Sequence, residues 1–160
     1  MEQTTELKVG DMAPSMVTLL HNGKLTQRED FAGRKVLLYF YPKDNTPGCT
    51  AEACSLRDGY QELQARGVEV IGVSPNTEKS HVGFIAKHNL PFPLIADINH
   101  ELAEKYGVWK EKKMCGRTYM GIVRKSFLID EAGRIMHIFD KVKTKEHAQQ
   151  VLAVLDKAEA

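Results

Sequence analysis

The 160-residue sequence lacks any apolar run as long as a membrane span or the hydrophobic segment of a signal peptide. Its first residues, Met1 to Val9, are instead polar and mixed in charge. We therefore expect a cytoplasmic protein with no membrane partner.

An excess of charge of one sign is also absent. Lysine and arginine number 22 against 21 aspartates and glutamates, so the formal net charge at pH 7 is only +1. A nucleic-acid-binding domain normally carries a clearly basic face. The composition thus argues against nucleic acid as a partner.

Internal repeats, low-complexity tracts, Gly/Ser-rich linkers and a phosphate-binding glycine motif are missing as well. The chain is 42% hydrophobic and 27% charged. A chain of this size can bury about two-thirds of the surface that its unfolded form exposes. We expect one α/β domain spanning residues 1–160.

Cysteine is scarce, and the three that occur are Cys49, Cys54 and Cys115. An odd number in a reducing compartment argues against a disulfide scaffold. Reactive thiols, metal ligands and buried hydrophobic side chains remain as their candidate roles.

The most informative stretch that is present runs from Val36 to Tyr60 and contains two of these cysteines. Its apolar first part, Val36 to Tyr41, has the length and composition of a buried strand, and Pro42 ends that strand. After a polar loop, Thr46 is suited to cap a helix with its hydroxyl. A strand followed by a helix is therefore predicted here.

Within that helix, Pro47 suits the first position, so Cys49 falls at the third. The free N–H groups and the positive dipole end at a helix start favour an anion there. This predicts a nucleophilic thiolate at Cys49. The alternative is an ordinary, partly buried thiol, since free cysteine is among the most buried residue types.

Cys54 follows Cys49 by five residues on the same predicted helix. Residues at this spacing are separated by about 140° around the axis, with Cα atoms roughly 8 to 9 Å apart. A disulfide needs Cα atoms within about 7 Å. A bridge between these cysteines therefore requires the first helical turns to unwind.

Other patterns predict further elements along the chain. Asn22-Gly23, between the extended segments Met16–Leu20 and Lys24–Thr26, predicts an N-terminal hairpin. A single helix is predicted from Thr50 to Ala65. The remaining predictions are a strand over Val68–Ser74, parallel to the first, a helix from Thr77 to before Pro91, a strand from Pro91 to Ala96, a helix over Asn99–Tyr106, a hairpin of Lys125–Asp130 with Arg134–Phe139, and a terminal helix over Thr144–Leu155.

A basic stretch, Lys110 to Lys113, predicts a solvated loop. The loop continues through Cys115, and Gly116 and Gly121 would allow it to move. Cys115 is interpreted as incidental, or else as an alternative resolving, glutathionylated or intermolecular thiol.

The spacing Pro42-x-x-x-Thr46-x-x-Cys49 resembles the active-site motif of the peroxiredoxins. Gly48, together with a second cysteine five residues after Cys49, resembles their bacterioferritin-comigratory, or Q-type, branch. Five further segments resemble that branch in the same order: Gly10–Pro14, Val70–Ser74, Phe92–Asp97, Tyr106–Trp109 and Ser126–Asp130. The resemblance covers essentially the whole chain.

This resemblance implies a thioredoxin-like fold, with a central mixed β-sheet flanked by helices and an N-terminal β-hairpin. It also implies a thiol peroxidase in antioxidant defence that reduces hydrogen peroxide and alkyl hydroperoxides. No metal, haem or flavin cofactor is implied. The expected reductant is thioredoxin or glutaredoxin, and we expect a monomer or a weak dimer.

The same resemblance assigns the site residues. Cys49 is the peroxidatic cysteine, which becomes a sulfenic acid, and Cys54 is the resolving cysteine, which forms a disulfide with it. Arg124 matches the family arginine that contacts sulfur and peroxide. Thr46 hydrogen-bonds the peroxide, and Pro42 fixes where the loop leaves the sheet.

Other functions remain open at this point. A thioredoxin-like disulfide reductase usually has two residues between its cysteines, whereas Cys49 and Cys54 have four. Cys-x4-Cys lies within structural zinc spacing, but His81 and His88 have six residues between them and no second close Cys/His pair completes a zinc-binding module. A redox-dependent chaperone would show itself by self-association on oxidation.

Overall fold

The structure is a computed structural model that describes residues 6–15, 18–26, 28–31 and 33–159. Its strands are β1 (Thr18–Leu19), β2 (Leu25–Thr26), β3 (Lys35–Phe40), β4 (Val68–Ser74), β5 (Leu94–Ala96), β6 (Trp109–Met114), β7 (Arg117–Ile122), β8 (Lys125–Ile129) and β9 (Ile135–Phe139). Its α-helices are α1 (Pro47–Asp58), α2 (Tyr60–Ala65), α3 (Glu78–His88), α4 (Glu101–Lys105) and α5 (His147–Glu159), and short 3-10 helices cover Arg28–Phe31 and Thr144–Glu146.

Five strands form a central mixed sheet in the order β5-β4-β3-β8-β9. Strand β3 pairs parallel with β4 and antiparallel with β8. Leu37 and Tyr39 of β3 belong to a core shared with α1, α2, α3 and α5, whereas Leu38 and Phe40 belong to a second core that includes α4. The strand is therefore covered on both faces, which explains its unbroken apolar sequence.

The predicted order of strands and helices is largely confirmed. The first buried strand runs one residue earlier than predicted, β4 has the predicted bounds, and β8 and β9 form the predicted hairpin. The side chain of Thr77 caps α3 by accepting a hydrogen bond from the Ser80 N–H at 3.1 Å. None of the helices within the described ranges is long and apolar enough to cross a membrane.

The N-terminal hairpin is present in its described part. Strands β1 and β2 pair antiparallel, with Thr18 opposite Thr26. Met16 and Val17, which the sequence placed in the first strand, lie outside the described residues.

The prediction of one helix from Thr50 to Ala65 is wrong, because the chain breaks at Gly59 into α1 and α2. A Cβ atom on Gly59 would lie only 2.6 Å from Cβ of Ala148 in α5. The glycine thus lets α5 pack closely against the junction. Gly67 then ends α2 near the predicted place, with a φ of 78°.

The prediction of a solvated loop over Lys110 to Lys113 is also wrong. This stretch belongs to β6, which pairs antiparallel with β7 in a separate two-stranded sheet. Cys115 and Gly116 connect the strands with φ angles of 51° and 78°, as a two-residue hairpin turn of type I′ requires. Most side chains of the hairpin are exposed, so the lysines are solvated although they lie in a strand.

Candidate active site

Cys49 lies in the first turn of α1, where the chain enters the helix after leaving the sheet. Thr46 occupies the N-cap position and Pro47 the first helical position, so Cys49 is the third helical residue. Its side chain is only 2% exposed. The unpaired N–H groups and the positive dipole end of the helix stabilise negative charge on a sulfur in this position.

Arg124 contacts the sulfur directly. Its Nη2 donates to Cys49 Sγ at 3.2 Å, and its Nη1 donates to Glu52 Oε1 at 2.5 Å. Arg124 immediately precedes β8, and the pairing of Lys125 with Phe40 brings it beside the start of α1. A permanently charged, forked donor can hold an anionic sulfur and a carboxylate at the same time.

Gly48 leaves room for this arginine. A Cβ atom at position 48 would lie 3.1 Å from Arg124 Nη2, which is tighter than ordinary van der Waals contact. A side chain at position 48 would therefore crowd the guanidinium that contacts Cys49.

Glu52 is a site residue that the sequence analysis missed. It is fully buried and lies three residues after Cys49, hence on the same face of α1. Burial raises the pKa of its carboxyl group to about 7, although the charge and the hydrogen bond of Arg124 oppose that rise. The sequence signal that could have identified Glu52 was its position one helical turn after Cys49.

The second oxygen of Glu52 faces a buried histidine. Oε2 has no hydrogen-bond partner within the described part of the chain and lies 3.8 Å from His147 Nε2. Burial lowers the pKa of His147 to about 4, so this imidazole is neutral near pH 7.

The tautomer of His147 follows from its neighbours. Gln150 donates from its amide nitrogen to the carbonyl of Lys141, so its Oε1 is the acceptor that faces His147 Nδ1 at 2.8 Å. Nδ1 therefore carries the hydrogen. Nε2 accepts from the Ser126 hydroxyl at 2.7 Å and has no proton to give Glu52.

Thr46 is at the N-cap position, but its side chain does not cap the helix as the sequence predicted. Its hydroxyl donates to the carbonyl of Lys43 at 2.8 Å, and no side-chain bond reaches the helix N–H groups. Because the hydroxyl hydrogen is engaged, the oxygen offers lone pairs only. In this arrangement Thr46 can accept a hydrogen bond from a substrate but cannot donate one.

Pro42 is half-buried and follows β3, as predicted, and the loop after it is held by a buried carboxylate. Asp44 accepts hydrogen bonds from Tyr41 Oη at 2.6 Å and from Ser80 Oγ at 2.8 Å, and it faces His81 Nδ1 at 2.7 Å. Burial acts to raise the pKa of Asp44, but the hydrogen bonds from His81, Tyr41 and Ser80 outweigh it and lower that pKa. The loop is thereby anchored to α3.

Cys54 lies on the same unbroken helix as Cys49 and is half-buried, with both thiols free. Its sulfur faces His88 at the end of α3. Cys115 is exposed on the turn between β6 and β7. The helix around Cys49 is thus in its folded form, with the two thiols on different sides of α1.

A zinc-binding module would need three or four ligands close together. Within the described ranges, no three Cys, His, Asp or Glu side chains are grouped as metal ligands. The geometry instead offers one buried sulfur with a charged donor.

Comparison with known proteins gives a consistent result. Residues 9–138 match the model of the AhpC/TSA family. The chain is 47% identical over 146 residues to Peroxiredoxin Bcp of Escherichia coli K12, covering 91% of this chain and 94% of the relative. It is 44% identical over 149 residues to Peroxiredoxin Bcp of Bacillus subtilis 168, covering 93% and 95%.

Solved structures agree with these relatives. A PrxQ mutant of Xylella fastidiosa superimposes with a TM-score of 0.90 at 32% identity, covering 98% of this chain and 99% of that one. The bacterioferritin comigratory protein of Xanthomonas campestris, studied for its alkyl peroxide reduction activity, gives a TM-score of 0.82 at 37% identity, covering 89% and 90%. The predicted thioredoxin-like fold is thereby confirmed.

Proposed function

Since the chain belongs to the AhpC/TSA family, and is a thiol-dependent peroxidase of its Bcp, or Q-type, peroxiredoxin branch, we propose that Cys49 is the residue that attacks the hydroperoxide. The observation that carries this assignment is the 3.2 Å contact from Arg124 Nη2 to Cys49 Sγ at the start of α1. The sulfur of Cys54 instead faces Nδ1 of His88 at 4.0 Å.

The first step is a two-electron transfer. The Cys49 thiolate attacks one oxygen of the hydroperoxide, the O–O bond breaks, and the sulfur becomes a sulfenic acid while the peroxide is reduced to an alcohol or water. Arg124 supplies positive charge where negative charge is redistributed between sulfur and the departing oxygen. Thr46 accepts the hydrogen bond of the peroxide O–H.

We extend the substrate class to alkyl hydroperoxides as well as hydrogen peroxide. The Xanthomonas campestris relative is described by its alkyl peroxide reduction activity, and it covers most of this chain. The preference between the two is measured by comparing rates with hydrogen peroxide and with cumene hydroperoxide.

The second step returns the sulfur to its reduced form. Cys54 condenses with the Cys49 sulfenic acid, releasing water, and a thioredoxin-type dithiol reduces the resulting disulfide. Because both cysteines lie on one continuous helix, the first turns of α1 must unwind for the bridge to form. We place this cycle in the cytoplasm, in a monomer or a weak dimer.

The experiment that tests this cycle is a mass-spectrometric digest of reduced protein after one equivalent of hydrogen peroxide. We expect a Cys49–Cys54 disulfide in the parent chain and in Cys115→Ser, and none in Cys49→Ser. If Cys49 resists oxidation, its assignment as the peroxidatic residue fails. If it pairs only with Cys115, the resolving role of Cys54 fails while the peroxidatic role stands.

Hydrogen exchange tests the unwinding separately. We expect amide protection over residues 50–58 to fall when the disulfide forms, with protection in β4 unchanged as the internal control. Equal protection of that segment in both redox forms would contradict the unwinding step.

A further inference from the structure

Cys54 has a partner of its own that the proposed cycle does not yet use. Its Sγ lies 4.0 Å from Nδ1 of His88, at the outer limit of hydrogen-bonding distance for sulfur. Both side chains are half-buried, so bulk water does not fully surround the pair. Thiol and imidazole at this distance form the acid–base pair that activates cysteine nucleophiles in general.

The position of His88 is fixed by the elements around it. Its ring packs edge-on against Phe84, with ring centroids 5.2 Å apart, and its backbone carbonyl accepts a hydrogen bond from Arg57 Nη1 at 2.9 Å. His88 is the last residue of α3, a helix held to the sheet by buried Phe84 and His81. The imidazole therefore does not depend on the first turns of α1 for its position.

Arg57 places a positive charge near the pair. Arg57, one turn after Cys54 on α1, carries its guanidinium into the same region and also donates to Asp58 at 2.9 Å. The hydrogen bond to Asp58 is the main cause that raises the pKa of Arg57. A positive charge close to a thiol stabilises the anion that the thiol forms.

The remaining nitrogen of His88 leaves the tautomer of the ring open. Nε2 is buried and has no hydrogen-bond partner within the described residues. No fixed acceptor there commits the ring to one tautomer, so Nδ1 is free to act as an acceptor. The nitrogen that faces the thiol can then take up its proton.

From this arrangement we infer that His88 is the catalytic base that deprotonates Cys54 for the resolving step. This inference rests on the proposed role of Cys54. His88 Nδ1 takes the thiol proton, and the Cys54 thiolate attacks the sulfur of the Cys49 sulfenic acid. The S–O bond breaks as the S–S bond forms, and the departing hydroxide takes the proton from His88 to give water.

The step matters because resolution competes with further oxidation. A thiol with an ordinary pKa of about 8.5 is only a few per cent ionised at pH 7. A base in contact with it typically raises the rate of such a step by a factor of about 100 or more when fully effective. His88 thereby shortens the life of the Cys49 sulfenic acid.

The test uses Cys49→Ser/Cys115→Ser, in which Cys54 is the only thiol. The alkylation rate of this thiol by iodoacetamide is measured from pH 5 to pH 10, with His88 and with His88→Gln. We expect alkylation at pH 7 to be about tenfold slower without the imidazole, and the two rates to converge near pH 10, where any thiol is ionised.

Two matched variants separate the base from other effects. His137→Gln removes a half-buried histidine from β9, where its ring packs against Phe139, and is expected to leave the profile unchanged. Free imidazole added to His88→Ala is expected to restore much of the lost rate. Profiles that agree within twofold with and without His88, or an absence of rescue in His88→Ala, would overturn the inference.

A second measurement uses the chain with all three cysteines. Rapid-quench mass spectrometry follows the sulfenic acid and the disulfide after one equivalent of hydrogen peroxide. With His88→Gln we expect sulfenic acid to form at the parent rate and to persist about tenfold longer. Equal sulfenic acid lifetimes in the parent chain and in His88→Gln would contradict only the role of His88. An absence of sulfenic acid at Cys49 in the parent chain would contradict the proposed function itself.

Discussion

Cys49 and Cys54 lie five residues apart on α1 but have different neighbours. Cys49 is buried against Arg124, a permanent charge that cannot take up a proton. Cys54 is half-buried against His88, a side chain that can. The surroundings of Cys49 stabilise a thiolate. Those of Cys54 include a base that can remove the thiol proton in the inferred resolving step.

The difference follows from helical geometry. Five residues rotate the side chain by about 140°, so one helix presents its two sulfurs to different parts of the fold. Cys49 meets the residue that leads into β8, and Cys54 meets the end of α3. Because the surroundings are separate, substitutions can change the reactivity of one sulfur without changing that of the other.

Removing Arg124 gives the largest expected separation between the two sulfurs. With Arg124→Ala, the rate of Cys49 oxidation by hydrogen peroxide should fall about 100- to 1,000-fold, the usual effect of losing one charge-stabilising donor. In Cys49→Ser/Cys115→Ser, where Cys54 is the remaining thiol, adding Arg124→Ala should change the alkylation rate of Cys54 by less than twofold. The measurement is stopped-flow kinetics of peroxide consumption.

Arg117→Ala is the control, because it removes an exposed arginine from the hairpin that precedes Arg124. It should react at the parent rate. A similar loss in both variants would show that net charge, rather than the contact with sulfur, controls Cys49.

Glu52→Gln tests whether the Cys49 side carries a buried group that titrates near neutral pH. The folded-state pKa of about 7 exceeds the ordinary value of 4.5, so the folded protein holds this proton more tightly than the unfolded chain. The resulting stability is fully present below pH 4.5 and is lost as the pH rises to 7. The free energy of unfolding, relative to Glu52→Gln, should thus fall by up to about 3 kcal/mol across this range.

Urea unfolding at several pH values measures this difference. His147 acts in the opposite direction, because burial lowers its pKa from 6.5 to about 4 and its contribution is lost as the pH falls through that range. The parent chain and Glu52→Gln both keep His147, so its effect on the free energy of unfolding largely cancels in the comparison. A difference that stays constant from pH 4.5 to pH 8 would show that Glu52 is ionised throughout.

Two glycines give the smallest expected effects. Gly48→Ala places a Cβ atom 3.1 Å from Arg124 Nη2, and the displaced guanidinium should slow peroxide reaction about three- to tenfold. Gly83→Ala on α3 meets nothing within 4 Å, and it should raise stability by about 0.5 to 1 kcal/mol without changing that rate. Equal rates in both variants would mean that Arg124 adjusts freely to the added methyl group.

The local parts of the site could be predicted from the sequence because they depend on neighbours in the chain. The strand end at Pro42, the helix start at Pro47 and the placement of Cys49 each follow from residues within one or two turns. The family motif added Arg124, which comes from a distant segment. Its contact with the sulfur required the register of β8 against β3.

The parts that were missed depend on tertiary packing or on weak patterns. Glu52 reads as an ordinary helix former until Arg124 is placed against it, and the break at Gly59 is understood only once α5 is in position. The strand over Lys110 to Lys113 is exposed on nearly every side chain, so no apolar alternation marks it. The adjoining pair Cys115-Gly116, which forms the two-residue turn, was the one local signal of a hairpin.

The continuity of α1 also has an energetic consequence for the proposed disulfide. Oxidation must supply the free energy that opens the first turns of the helix, so the folded helix opposes the bridge and favours the two thiols. In electrochemical terms, every 1.4 kcal/mol of added helix stability raises the reduction potential of the Cys49–Cys54 couple by about 30 mV. Substitutions in α1 that touch neither sulfur would therefore set how readily an external dithiol recycles the protein.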